Sequence, residues 1–61
     1  MFKIAIVDDD KAALSIVSSA VDSFFREKKM EFKISSFTNP LNFLLTIKEE
    51  AINLLFLDID M

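Results

Sequence analysis

Leu54-Leu55-Phe56-Leu57-Asp58-Ile59-Asp60-Met61 decides how this chain is read. Four large apolar residues in a row, followed at once by a carboxylate, predict a strand buried on both faces that delivers Asp58 to the rim of a sheet. Working outward, Phe2-Lys3-Ile4-Ala5-Ile6-Val7 is a second such run, and it ends in Asp8-Asp9-Asp10. Its β-branched, apolar content with a single Lys near the start fits a central strand. In open α/β sheets, ligands bind outside the carboxyl ends of the strands. Two strands that aim acids at one edge therefore mark a candidate site.

Between these strands the periodicity changes. Lys11 to Lys29 carries Leu14, Val17, Val21 and Phe24 at helical spacing, widened by Ala13, Ile16, Ala20 and Phe25. Asp10 is placed to cap this helix, Asp8 and Asp9 lie near its positive end, and Arg26, Lys28 and Lys29 suit its negative end. Glu31 to Phe37 alternates as a partly covered edge strand does. Thr38-Asn39-Pro40 starts a second helix, with Asn39 or Thr38 as cap and Pro40 in the first turn. Leu41, Leu44, Leu45 and Ile47 are expected to form its inner face, and Lys48, Glu49 and Glu50 to end it. The predicted order is β1-α1-β2-α2-β3, with parallel strands joined by right-handed crossovers. The chain has no Gly, so Met30 and Glu31 are expected to make the helix-to-strand turn without one.

With 61 residues there is room for one domain, spanning 1–61, and a chain this short buries only roughly 60% of its unfolded surface. Yet 52% of the residues are hydrophobic and seven are Phe, which is the composition of a folded core and interface and not of a disordered chain. The absence of Cys excludes disulfides, thiolate metal sites and Cys nucleophiles, and His is absent too. Carboxylate chemistry is what remains, with magnesium as its natural metal. The net charge of −3 argues against direct nucleic-acid binding, which needs a basic face. Ile4 to Val7 is too short for a signal-peptide core, and no run reaches the roughly 20 apolar residues that span a bilayer. A cytoplasmic protein is expected.

If β1 and β3 are neighbours, Asp8 or Asp9 meets Asp58 at one edge. Repulsion between close carboxylates is best relieved by a divalent cation. A carboxylate beside bound magnesium is also a credible nucleophile towards phosphorus, so aspartyl phosphate formation is the expected chemistry.

Lys3-Ile4-Ala5-Ile6-Val7-Asp8-Asp9-Asp10 followed by a helix, together with Asn53-Leu54-Leu55-Phe56-Leu57-Asp58-Ile59-Asp60-Met61, resembles the first half of a bacterial response-regulator receiver domain. The resemblance covers the whole chain, element by element. It implies a truncated flavodoxin-like α/β fold with strand order 2-1-3, a phosphoacceptor role for Asp58, and a magnesium ligand at Asp9. Asp8 would bind the metal's water and Asp60 would offer its backbone carbonyl. A sensor histidine kinase would be the phosphoryl donor in the full-length context, and the chain would be an acceptor and not an enzyme. The Phe-Leu-Asp-Ile-Asp-Met wording looks most like regulators with LytTR-type DNA-binding output domains.

A full receiver continues past this point with further strand-helix units that carry a Ser or Thr and a Lys for the phosphoryl group. The expectation for this chain is therefore weak magnesium binding and no signalling by the usual route. Strand order 2-1-3 would also leave β3 as an apolar edge, which invites another chain. A homodimer is expected, with β3 antiparallel to its symmetry mate in a sheet ordered 2-1-3-3-1-2. Two other readings compete. The chain resembles a vestigial self-association module if the acids are idle. Less closely, Asp58-Ile59-Asp60 after an apolar strand resembles the first motif of haloacid-dehalogenase-type phosphatases, which leaves Asp8 and Asp9 without a role. In the blandest reading, Asp10 only caps a helix, and Lys28 and Lys29 only solvate its end.

Overall fold

A computed structural model describes residues 1–58, with Asp58 described by its backbone. The elements follow the expected order: β1 (Phe2–Asp8), α1 (Lys11–Glu27), β2 (Phe32–Phe37), α2 (Pro40–Ile47) and β3 (Leu54–Asp58). Both helices start where the sequence places a cap. Asp10 takes an extended backbone and its carboxylate accepts the Ala12 N–H at 2.9 Å, while Asn39 does the same for the Leu41 N–H at 2.9 Å ahead of Pro40. Each such cap contributes about 1 kcal/mol by satisfying an N–H that the helix itself cannot.

α1 ends earlier than its charge pattern suggests, and Lys29 is the reason. Lys29 has φ 57°, its N–H donates to the Arg26 carbonyl at 3.0 Å, and the Met30 N–H donates to the Phe25 carbonyl at 3.4 Å. These two bonds form a Schellman turn, which normally places Gly at the left-handed position. Lys29, and not Met30 or Glu31, supplies the conformation that a glycine would adopt at less cost.

The three strands form one parallel sheet in the order β2-β1-β3, the arrangement of the first half of a flavodoxin-like sheet. β1 is central and is buried on both faces, as its sequence predicts: Ile4, Ala5, Ile6 and Val7 are almost wholly inaccessible. Alternation along the strand divides the core. Ile4 and Ile6 meet Val21 and Phe25 of α1, whereas Ala5 and Val7 meet Phe43 of α2. The helices therefore lie on opposite faces. On the α1 face, Phe25 stands between Phe2 and Phe32 with ring centroids 5.4 and 5.7 Å away. Val21 and Phe25, not Phe24, centre the buried stripe of α1, and Phe24 and Ile16 are exposed.

Two expectations are corrected here. The inner face of α2 is Phe43, whose ring fills the space above the small Ala5 and packs edge-on against Phe37 at 5.7 Å. Leu41, Leu44, Leu45 and Ile47, expected inside, are exposed. The second correction concerns β3, which is not buried on both faces: Leu55, Phe56 and Leu57 are all exposed. Both helices pack over β1 and β2, so among the described residues neither lies across β3. Its outer edge has no strand partner among those residues either.

Candidate functional site

The three consecutive acids after β1 have three different situations. Asp8 is the last residue of the strand, only 5% exposed, and its Oδ1 accepts the Asp10 N–H at 3.0 Å. Asp9 is exposed in the turn. Asp10 caps α1, as expected, and its carbonyl accepts the Leu14 N–H at 2.9 Å. Chain direction explains the division. A strand buried to its last residue carries Asp8 down into the sheet edge, and the helix start then takes the third acid for its own N–H groups.

β3 brings the fourth acid alongside. The parallel register pairs Ile4 with Leu54 and ends by pairing Asp8 with Asp58. Neighbouring strands run about 4.8 Å apart, so the two residues sit side by side at the carboxyl edge of the sheet. The side chain of Asp58, and all of Asp60, lie outside the described residues. Among the described residues, no group of three acids could hold a metal ion.

A small crevice opens at this edge. It has a volume of about 160 Å³ and is lined by Ile6, Val7, Asp8, Val17, Phe56 and Leu57. Asp8 is the one ionisable residue of its lining, and that volume leaves no room for an extended organic substrate. A roomier cavity of about 550 Å³ lies at the opposite, amino end of the strands, against Met1, Met30 and Glu31. Its Arg26 is engaged by Asp22 at 2.7 Å, and that hydrogen bond and charge raise the guanidinium pKa above its ordinary value. Ligands of open α/β sheets bind at the other end.

Asn53 is the residue that the sequence reading passed over. The Lys3 N–H donates to Asn53 Oδ1 at 2.8 Å, and the Asn53 N–H donates to the Lys3 carbonyl at 2.9 Å. This clasp fixes the first step of the β1–β3 ladder and hence the last one. Its only signal in the sequence is an amide residue directly before an apolar run. Lys28, expected only to solvate the helix end, also holds its Nζ 5.5 Å from the centre of the Phe24 ring.

Among the described residues, no helix is long and apolar enough to cross a membrane. No protein-family model, curated protein sequence or solved structure matches this chain.

Proposed function

We propose that this chain is the acceptor half of a response-regulator receiver, a cytoplasmic two-component signalling module in which Asp58 takes a phosphoryl group. One observation carries the reading: Asp8 and Asp58 are register partners at the carboxyl ends of adjacent parallel strands. The recessed Asp8, the exposed Asp9 beside it and the small crevice support it further.

An all-oxygen donor set fits magnesium and not zinc. Asp8, Asp9 and Asp58 would hold the ion with the Asp60 backbone carbonyl, and the ion would offset charge on the phosphoryl oxygens. An Asp58 carboxylate oxygen then forms a bond to phosphorus as the bond to the leaving group breaks. That leaving group is the imidazole of a sensor kinase's phosphohistidine, or acetate when acetyl phosphate is the donor. The chain is an acceptor and not a catalyst of turnover.

Intact mass after incubation with magnesium and acetyl phosphate tests this, beside Asp58→Asn. One phosphate adduct, lost in the variant, is expected; an unmodified wild-type chain would overturn the proposal. Steady hydrolysis of an aryl phosphate would point instead to the phosphatase reading. A second reading, a self-association module that includes pairing along the free edge of β3, is favoured by the exposed apolar residues of α2 and β3.

A further inference from the structure

α2 is apolar on more sides than its own sheet covers. At 100° per residue, Phe43 points to the sheet, Leu44 and Ile47 form one flank, Leu41 and Leu45 point outward, and Asn42 and Thr46 form the other flank. Leu41, Leu44 and Leu45 are 65%, 51% and 64% exposed. A helix that is apolar nearly all round is built to lie between two layers.

The second layer has a place to dock. Leu55 and Leu57 pair in register with Ala5 and Val7, which pack under α2, so all four belong to the same face of the sheet. Leu55 and Leu57 are 40% and 57% exposed, because α2 lies over β1 and β2. Beside α2 there is thus a bare apolar lane, one strand wide. A right-handed β2-α2-β3 crossover turns the Leu44 flank of the helix towards that lane.

We propose that a second copy of this chain fills the lane with its own α2. A two-fold axis parallel to the strands lays α2 and its mate side by side between two sheets. Leu41 and Leu45 of each copy then rest on Leu55 and Leu57 of the other, and the Leu44 flanks meet at the axis. The contact is isologous and closes on itself. Pairing of β3 edges does not achieve this, because a two-fold axis perpendicular to the sheet leaves each helix over its own β1 and β2. The area allows a small contact: the accessible surface of 4499 Å² exceeds by about 460 Å² what a compact monomer of 7.0 kDa exposes, against about 800 Å² that one partner of a standard pair covers. This inference does not depend on phosphoryl chemistry at Asp58.

Light scattering of the chain at micromolar concentration tests it, together with two single-cysteine variants in a protein that has no other cysteine. A dimer is expected, cross-linked by mild oxidation in Leu44→Cys and not in Phe56→Cys, and reduced to monomer by Leu45→Lys with an unchanged circular dichroism spectrum. Should Leu45→Lys not fold, Leu45→Gln is expected to give a folded monomer or at least a tenfold weaker dimer. A wild-type monomer would overturn the proposal. So would cross-linking through Phe56→Cys alone, the mark of edge pairing, or a dimer indifferent to both Leu45 substitutions.

Discussion

Asn53 and Lys3 hold each other by two hydrogen bonds, amide oxygen to backbone N–H at 2.8 Å and backbone N–H to carbonyl at 2.9 Å. Because side chains in a strand alternate with a period of two, this clasp decides which face each β3 residue takes and whether Asp58 stops beside Asp8. Asn53→Ala removes one bond and is expected to cost about 1 kcal/mol. The cost should fall on β3 more than on the rest, which amide hydrogen exchange of residues 54–58 would register as a selective loss of protection.

Lys29 adopts a left-handed backbone that Gly reaches without a Cβ clash. Lys29→Gly is expected to stabilise the fold by about 1 kcal/mol, net of the extra freedom it gives the unfolded chain, and to raise the melting temperature by about 4–8 °C. Thermal unfolding followed by circular dichroism checks this. A lower melting temperature would mean that the turn is not held as described.

Phe43 and Leu45 separate the two sides of α2. Phe43→Ala opens a cavity under the helix at a cost of about 3–5 kcal/mol. For 61 residues the whole stability is about 3–9 kcal/mol, so the variant is expected to lose about a third of it or more. The monomeric form of Leu45→Lys should stay within about 0.5 kcal/mol of the wild-type monomer, since Leu45 points away from its own sheet. Urea titration of both variants gives the comparison.

Asp8 carries a negative charge in a recess beside other acids, and its Oδ1 already accepts the Asp10 N–H. Asp8→Asn keeps that acceptor and removes the charge. Without divalent ions the variant is expected to melt above the wild type. Under the receiver reading, magnesium at ten times its dissociation constant adds about 1.4 kcal/mol to the wild type and little to the variant. Melting curves with and without magnesium distinguish the cases, and an equal response of both proteins would remove Asp8 from the metal site.

The order of elements, both caps and the burial of β1 were legible because each rests on neighbouring residues: an acid or amide before a periodic run, or apolar residues in sequence. The side of α2 that faces the sheet was not. Five of its eight residues are large and apolar, and the choice among them falls to Ala5, whose small side chain on a distant strand leaves room for a ring. The exposure of β3 was hidden for a similar reason, since four apolar residues in a row say nothing about which helix crosses above them. The turn at Lys29 was placed one to two residues late, at Met30 and Glu31, because the expected glycine is absent. At the site, sequence pattern aimed the acids of both strands at one edge, with Asp8 or Asp9 meeting Asp58 on condition that the strands are neighbours, while the clasp that fixes their register joins residues fifty positions apart.

The central position of β1 has a consequence for how the chain is made. Asp8 leaves the ribosome long before Leu54, and the 45 residues between them take roughly 2–9 s to synthesise at ~5–20 residues per second. For that time the most deeply buried strand of the protein has at most one of its two neighbours. A nascent chain in this state is a ready substrate for holdase chaperones, and slow decoding after β2 would lengthen its exposure.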